Sequence, residues 1–334
     1  MSDFFQYKNI TTLQSLRLNK RLEEDVINAQ KKLVVVIPCL VSHYESGVLH
    51  KLLDQLRTVS LISEIIVVLN GNQSEFENFN KSLIQTIKVD SNLLKFLMVD
   101  GLGKGRAIKF GFDYAYQQYK KEAILVTLDA DLQSFNKEYF LRLVYPIAVL
   151  GGHVNKGYYA RFSPSKLDGR LTRLLVIPML YALQEQHPAS DLTHWLLSFR
   201  YPLSGDVALT SDVVPHLTLH DNWAYDLSLL NSLHHHQDKL SIYQTELTDN
   251  YEHLHRNLDG DRDLGLIELT KDISIFLMGL FPLNINRFID DYEKLALRYC
   301  EKYNKLALFN GIKYSNTDNQ LVLQILIYLN SLKA

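Results

Sequence analysis

The chain has 334 residues, of which 47% are hydrophobic and 22% charged, and its formal net charge is -2. This composition is typical of a globular protein with one large domain or two smaller ones, and the balanced charge argues against a nucleic-acid-binding protein. The two cysteines, Cys39 and Cys300, exclude a disulfide framework, so we expect a reducing, cytoplasmic setting. The N-terminus lacks a signal-peptide pattern, and the longest apolar runs are shorter than the roughly 20 residues of a membrane-spanning helix.

The first part of the chain alternates between predicted helices and buried strands. Residues 11–32 carry apolar residues at helical spacing, which predicts an amphipathic helix outside the main sheet. Apolar runs predict four buried strands, at Leu33–Ile37 (stopped by Pro38), Ile65–Leu69, Leu94–Val99 and Ile124–Leu128. Helices are predicted between them over 44–59, 75–86 and 104–119. Such alternation predicts a parallel sheet covered on both faces.

The pattern changes after residue 150. Short strands are predicted at 158–161, 207–210 and 241–247, and helices over 170–183 and 223–233. From Leu264 onward the sequence is helical in character, with breaks near Pro282 and Asn310. The apolar face of this region, which includes Ile275, Leu277 and Leu280, predicts a homodimer contact.

The fourth predicted strand ends in Asp129-Ala130-Asp131. Carboxylates directly after a buried strand suit Mg²⁺ or Mn²⁺, and such ions often hold substrate phosphates as well. A capped turn is the purely structural alternative. Ligands of parallel sheets bind beyond the carboxyl ends of the strands, which predicts that four loops share one edge. These loops lie at Pro38, Asn70, Gly101–Gly105 and Asp129.

A glycine-rich segment, Gly101-Leu102-Gly103-Lys104-Gly105, joins the third predicted strand to a helix. Glycines allow a tight turn, the helix N-terminus favours an anion, and Lys104 adds a positive charge. The segment is not a Walker A loop, because no Ser or Thr follows the lysine. The structural alternative is a glycine-rich turn with a solvated lysine.

Two segments of the second half carry further candidate ligands. His253 and His255 follow the strand predicted over 241–247, and imidazole binds Mn²⁺, although exposed loop histidines are the alternative. Asp168-Gly169-Arg170-Leu171-Thr172 opens a predicted helix. Asp168 is either an N-cap or part of an anion site made from helix amides, Arg170 and Thr172.

Together, these motifs resemble the nucleotide-sugar-dependent glycosyltransferases of the GT-A type over residues 33–262. The resemblance is closest to glucosyl-3-phosphoglycerate synthases, with mannosylglycerate synthases second. It rests on an ordered set of motifs: Ile37-Pro38, Asn70-Gly71-Asn72, Gly103-Lys104-Gly105, Asp129-Ala130-Asp131, Lys156–Tyr159, Gly169–Thr172, Pro202–Asp206, Trp223–Asp226 and Leu254-His255-Arg256. The Asn-Glu-Glu that often follows the first strand is absent, and Ser42 or Glu45 would have to substitute.

The resemblance implies an α/β fold of the GT-A, Rossmann-like kind, with a mostly parallel sheet, helices on both faces and a helical C-terminal tail. The implied domains are an N-terminal helical extension (1–32), a nucleotide-sugar-binding half (33–150), an acceptor-binding and metal-completing half (151–262) and the tail (263–334).

The resemblance also implies a role for individual residues. The implied metal ligands are Asp131 and His255, with Asp129 in support, and the implied catalytic residues are Asp226 and Lys104. The implied donor-binding residues are Pro38, Leu40, Glu45, Asn70, Lys104, Asp129, Ala130, Leu203, Ser204 and Gly205. The implied acceptor-binding residues are Tyr158, Gly169, Arg170 and Thr172.

The function implied by the resemblance is a metal-dependent, retaining transfer of a hexose from a nucleotide sugar to a small acidic acceptor. UDP-glucose and 3-phosphoglycerate are the favoured pair, and GDP-mannose with glycerate is the alternative. A catalytically inactive sugar-nucleotide-binding protein is the alternative of another class. A phosphohydrolase is disfavoured because its Asp-x-Asp normally follows the first strand, and a nucleotidyltransferase because the loop after the first strand has no Lys or Arg.

Overall fold

A computed structural model describes residues 9–16, 19–41, 44, 47–78, 93–163, 166–252, 266–312 and 317–333. The chain forms two compact units. The first comprises Met1–Tyr159 and Ser204–Leu254, and the second comprises Ala160–Leu203 and His255–Ala334. None of the helices within the described ranges is long and apolar enough to cross a membrane.

The strands, in chain order, are β1 (Ile10–Leu13), β2 (Lys32–Leu40), β3 (Ile62–Gly71), β4 (Leu94–Asp100), β5 (Ala123–Thr127), β6 (Val154–Tyr159), β7 (Phe162–Ser163), β8 (Lys166–Leu167), β9 (Val207–Thr210) and β10 (Ile242–Thr248). The α-helices are α1 (Leu22–Asn28), α2 (Val48–Leu56), α3 (Gln73–Asn78), α4 (Lys104–Tyr119), α5 (Lys137–Ala148), α6 (Ile177–Gln186), α7 (Asp191–Leu197), α8 (Tyr225–His234), α9 (Leu266–Met278), α10 (Ile285–Phe309) and α11 (Thr317–Ser331). A π-helical turn, Thr172–Val176, precedes α6, and a 3-10 helix, Ser211–His216, follows β9.

The first unit is built on an eight-stranded sheet in the order β1-β10-β6-β9-β5-β2-β3-β4. All neighbouring strands are parallel except β9, which runs antiparallel to β5 and β6. Successive residues of β2, Leu33 to Ile37, are all buried, as are all residues of β5. Because successive side chains point to opposite faces, both faces of the sheet centre are covered. Thr127 pairs with Val207, so the carboxyl end of β5 and the amino end of β9 lie at one edge.

The four strands and the helix over 104–119 predicted in the first part of the chain are present, as β2 to β5 and α4. The prediction that Pro38 stops the first strand is wrong, because β2 continues to Leu40. Its partner β5 pairs with β2 only as far as Val36. The main-chain groups of Val36 and Pro38 both point toward β5. Because β5 no longer pairs with β2 at Pro38, no hydrogen bond is lost through the missing N–H of the proline.

The helix predicted over 11–32 is also wrong in its first part. Ile10–Leu13 is a strand that pairs in parallel with β10, and the helix α1 covers only Leu22–Asn28. The partner of β1 lies more than 200 residues away, since Ile10 pairs with Ile242. Helical spacing within the segment therefore gave no information about this pairing. Helix α5, whose N-cap Asn136 accepts a hydrogen bond from the Tyr139 amide, was not predicted.

The second unit contains the small β7–β8 hairpin, the helix that begins at Arg170, and the C-terminal helices α9 to α11. The predicted helical tail is thus present, with interruptions at residues 279–284 and from residue 310. Tyr292 of α10 donates to the Leu174 carbonyl at 2.9 Å, which joins the tail to the π-helical turn. Leu277 is fully buried within the chain, whereas Ile275 is exposed. The homodimer contact stays a prediction, and Leu277 is not exposed to take part in it.

Candidate active site

Three elements of the first unit bring charged side chains together at the carboxyl edge of the sheet. Lys104 begins α4, Asp129 follows β5, and Asp226 lies in the first turn of α8. Lys104 Nζ lies 2.8 Å from Asp129 Oδ1 and 3.6 Å from Asp226 Oδ2. Burial alone would lower the pKa of Lys104, but the two carboxylates outweigh burial and the pKa is raised. Lys104 therefore remains a buried cation between two acids.

Lys156 extends this cluster from β6; it belongs to the Lys156–Tyr159 motif, but no role was assigned to it from the sequence. The residue is 1% exposed, and its Nζ donates to the Ser204 carbonyl at 2.7 Å and lies 3.9 Å from Asp226 Oδ1. Burial lowers the pKa of Lys156 to about 8. Burial also raises the pKa of Asp226, a rise that Lys104 and Lys156 oppose. A lysine inside an otherwise buried strand was the available sequence signal.

The glycines of the Gly-Lys-Gly motif are required by the chain itself. A Cβ atom on Gly103 or Gly105 would overlap a main-chain carbonyl of the loop at residues 220–222. The Arg106 amide donates to the Asp221 carbonyl at 2.8 Å, and the Gly105 amide donates to the Asn222 carbonyl at 3.4 Å. The Gly105 and Arg106 amides at the start of α4 are thus occupied, and an anion at this helix N-terminus stays a prediction. The positive charge at this turn comes from the Lys104 side chain.

The loop before β9 packs directly on the charged cluster. A Cβ atom on Gly205 would overlap the Asp129 carboxylate and lie 2.6 Å from Lys104 Nζ. The Thr127 hydroxyl donates to the Gly205 carbonyl at 2.7 Å and fixes this approach. Ser204, the neighbouring predicted donor contact, is fully buried and accepts from Lys156. Any larger residue at position 205 would displace Asp129 or Lys104.

The other predicted donor contacts lie at several places. Pro38 and Leu40 end β2, and Asn70 lies near the end of β3. The Asn70 side-chain amide donates to the Gly103 carbonyl at 3.3 Å, which ties β3 to the glycine turn. Ala130 is buried, Leu203 belongs to the second unit, and Glu45 lies outside the described residues. Their contacts with a donor stay predictions.

A buried tyrosine pair supports Asp129 and was also missed from the sequence. The rings of Tyr159 and Tyr251 stack with centroids 4.0 Å apart. The Tyr251 hydroxyl donates to Asp129 Oδ2 at 3.4 Å, and the Tyr159 hydroxyl donates to Asp206 Oδ2 at 3.0 Å. Burial, and secondly the charge of Asp129, raises the pKa of Asp206 to about 7. Tyr159 ends β6, Asp206 precedes β9 and Tyr251 follows β10, so no local motif joins them.

The predicted metal ligands are described only in part. His255 lies outside the described residues, and within the described ranges no group of three or more His, Cys, Asp or Glu side chains could hold a metal ion. Both carboxylate oxygens of Asp129 contact other side chains, those of Lys104 and Tyr251. Asp131, two residues on, is half-buried at the strand end. The carboxylate oxygens of Asp131, like those of Asp129, suit Mg²⁺ or Mn²⁺ by donor type, and the metal-ligand roles of both residues stay predictions.

The predicted acceptor residues of the second unit lie at the start of its long helix. Gly169 has a left-handed φ of +68° and faces the Tyr201 hydroxyl. The Arg170 guanidinium makes no hydrogen bond or ion pair with the described residues, and the Thr172 hydroxyl is buried without a hydrogen-bond partner among them. Burial lowers the pKa of Arg170, and Asp318 opposes this effect. Unsatisfied donors at a helix N-terminus are the features expected of an anion site.

Tyr158, the remaining predicted acceptor contact, lies in β6 of the first unit. Its side chain is buried, and its hydroxyl donates to the Leu13 carbonyl of β1 at 3.2 Å. This hydrogen bond gives Tyr158 a role in the sheet, and its contact with an acceptor stays a prediction.

Comparison with known proteins gives a family model and two curated relatives that are similar to this chain. Residues 34–199 match the family model of glycosyl transferase family 2. The glucosyl-3-phosphoglycerate synthase of Persephonella marina is 29% identical, with 94% of this chain and 85% of that protein covered. The synthase of Methanococcoides burtonii is 26% identical, with 96% and 86% covered.

A solved structure is similar in fold over most of the chain. It is the glucosyl-3-phosphoglycerate synthase of Mycobacterium tuberculosis in complex with Mn²⁺, UDP and phosphoglyceric acid. The TM-score is 0.61 at 20% identity, with 82% of this chain and 88% of that chain covered. The predicted GT-A fold is confirmed.

Proposed function

We propose that this chain, a glycosyltransferase whose residues 34–199 match the model of glycosyl transferase family 2, transfers glucose from UDP-glucose to 3-phosphoglycerate. The observation that carries the proposal is the buried Lys104–Asp129–Asp226 cluster at the carboxyl edge of the sheet. A fixed cation between two acids suits a substrate with an anionic diphosphate and a hydroxyl-rich sugar. The names of both curated relatives support glucose as the sugar and 3-phosphoglycerate as the acceptor.

In this proposal, Lys104 binds an oxygen of the donor diphosphate. Its ammonium is already charged and held in place by Asp129 and Asp226, so little reorganisation is needed when charge develops on the leaving group. Asp226 Oδ1 is buried without a hydrogen-bond partner. A sugar hydroxyl would satisfy that oxygen, and the carboxylate would stabilise positive charge on the sugar ring.

Asp131 would bind Mg²⁺ or Mn²⁺, together with His255 and with Asp129 in support. When bound, such an ion neutralises negative charge on the diphosphate. The M. tuberculosis synthase in complex with Mn²⁺ and UDP supports this proposal. Tyr251 and Lys104 keep the Asp129 carboxylate in a fixed orientation, whether or not Asp129 coordinates the ion directly.

The acceptor site would be the start of the helix in the second unit. Arg170 and Thr172 have donors without hydrogen-bond partners among the described residues, and a phosphate or carboxylate would accept from both. Binding there orients the acceptor hydroxyl, and positioning is the main contribution of such a site to the rate.

The bond between the anomeric carbon and the diphosphate oxygen breaks, and a bond from that carbon to the acceptor hydroxyl oxygen forms. The electron pair of the broken bond stays on UDP, which also offers an oxygen for the hydroxyl proton. Attack from the face that UDP leaves retains the configuration and needs no enzyme nucleophile. Retention is a proposal from the resemblance, whereas the cytoplasmic setting is proposed from the low cysteine content and the homodimer from the apolar face of the tail.

A matrix of donors and acceptors tests the function. UDP-glucose and GDP-mannose are each combined with 3-phosphoglycerate and with glycerate, in Mg²⁺, Mn²⁺ or chelator, and nucleotide release is measured. We expect turnover to be highest with UDP-glucose and 3-phosphoglycerate and to be lost in chelator. Turnover confined to GDP-mannose and glycerate would support the mannosylglycerate alternative. Calorimetric binding of UDP-glucose without transfer to either acceptor would support an inactive binding protein.

A further inference from the structure

Arg173 lies one residue beyond the proposed acceptor contact Thr172, and its guanidinium makes four hydrogen bonds. The residue is 5% exposed. Its two terminal nitrogens bind both carboxylate oxygens of Asp318, one of them at 2.8 Å. The guanidinium also donates to the carbonyls of Leu167 at 3.0 Å and Asp168 at 3.2 Å. Arg173 thus connects Leu167 and Asp168, which precede the helix that begins at Arg170, to the first turn of α11.

The turn that Arg173 occupies is unusual. Thr172–Val176 is π-helical, a form that is rare and often found at functional sites. Tyr303 of α10 covers the guanidinium, with the Arg173 Cζ 5.1 Å from the ring centroid. A bidentate pair covered by an aromatic ring is rigid, and the same turn carries Thr172.

Arg170 and Arg173, one turn apart on the same helix, differ in their contacts. Arg173 donates to Asp318 and to two carbonyl groups, whereas Arg170 makes no hydrogen bond or ion pair with the described residues. Asp318 forms an ion pair with Arg173, and its charge also opposes the lowering of the Arg170 pKa by burial. Asp318 therefore holds Arg173 within the fold, and the Arg170 guanidinium can bind an anion.

We propose that Asp318 and Arg173 are positioning residues of the acceptor site, so that the C-terminal helix α11 sets how the chain holds its acidic acceptor. This inference rests on the proposed function, because it assumes that Arg170 and Thr172 bind the acceptor. It assigns a role to a helix outside residues 34–199, the part that matches the family model.

Kinetic constants of the full-length enzyme test this inference. We expect Asp318→Asn to raise the KM for 3-phosphoglycerate about tenfold or more, because a small misplacement of binding groups weakens a site strongly. The KM for UDP-glucose should stay within about twofold, since the charged residues proposed to bind the donor, Lys104, Asp129 and Asp226, belong to the other unit. The control is Glu301→Gln, which breaks an exposed ion pair of the same tail, Glu301 to Lys305 at 2.9 Å. It should leave both KM values unchanged.

A second variant separates positioning from stability. Arg173→Met combined with Asp318→Leu removes both buried charges, so it should unfold at a higher temperature than Asp318→Asn. Its KM for 3-phosphoglycerate should stay raised, because the hydrogen bonds to the Leu167 and Asp168 carbonyls are missing. Direct calorimetric titration with 3-phosphoglycerate should show the same loss of affinity.

The outcomes distinguish this inference from the proposed function. An unchanged acceptor KM in the double variant, or an equal rise in both KM values, overturns the positioning role. If Arg170→Ala raises the acceptor KM but Asp318→Asn and the double variant do not, only this inference is wrong. If Arg170→Ala leaves the acceptor KM unchanged, the proposed acceptor site is wrong and this inference with it.

Discussion

Replacing Lys156 by methionine should make the protein more stable and less active at neutral pH. The pKa of Lys156 lies at about 8 instead of 10.5, so the buried charge costs about 3 kcal/mol at pH 7 relative to an exposed lysine. Methionine fills a similar volume without the charge. The Ser204 carbonyl then loses its donor, which costs about 1–3 kcal/mol and offsets part of the gain.

The pH dependence gives a sharper test than the absolute stability. The pKa of Lys156 is lower in the folded chain than in the unfolded chain, so between about pH 8 and 10.5 the unfolded state binds more protons and stability rises with pH. The Lys156→Met variant lacks this ionisable group, so its stability does not rise with pH in this range for this reason. The stability advantage of the variant over wild type should therefore shrink by about 2 kcal/mol between pH 7 and pH 9.5.

Urea denaturation at these two pH values measures the difference, and transfer assays at pH 7 measure the loss of activity. We expect kcat/KM to fall about tenfold, because Asp226 and Ser204 each lose a neighbouring charge. The matched control is Lys32→Met, which removes an exposed lysine paired with Glu122 at 2.9 Å. A stability difference between Lys156→Met and wild type that is constant from pH 7 to 9.5 would refute the reasoning.

The remaining predictions concern the metal, the acceptor and a buried acid. Asp131→Ala and His255→Ala should each abolish metal-dependent transfer with an unchanged circular-dichroism spectrum; full activity in either would reject that ligand. Arg170→Ala should raise the acceptor KM far more than the donor KM in steady-state kinetics, and an equal rise would count against an anion site. Burial raises the pKa of Asp206 to about 7, so the folded state holds this proton and stability should fall as pH rises from about 4 to 7. Asp206→Asn should flatten that fall in thermal unfolding, and an unchanged slope would contradict it.

The central strands of the sheet could be predicted because each one is a local apolar run. Val34, Val35 and Val36 are buried on both faces, and burial on both faces requires an unbroken hydrophobic run. The pairing of Ile10 with Ile242 could not be predicted, because a strand at one side of the sheet depends on a partner far along the chain. The continuation of β2 through Pro38 depends in the same way on where β5 ends.

The residues of the candidate site also differ in whether a local sequence pattern could reveal them. Lys104 and Asp129 were found because each belongs to a short motif at the end of a strand, and their contact follows from the parallel sheet. The supporting contacts of Lys156, Tyr251 and Asp206 were missed because each joins segments that are distant in sequence. The reason for the glycines at 103 and 105 was likewise non-local, since they make room for residues 220–222.

The most direct test of the proposed transfer reaction is an NMR measurement of the product formed from UDP-glucose and 3-phosphoglycerate. The buffer contains Mg²⁺ and no Mn²⁺. We expect UDP release together with a glucosyl group joined to the acceptor hydroxyl in the configuration it had in the donor. A product of inverted configuration would contradict the proposed attack from the leaving-group face. Release of free glucose, or no transfer to 3-phosphoglycerate, would contradict the proposed function itself.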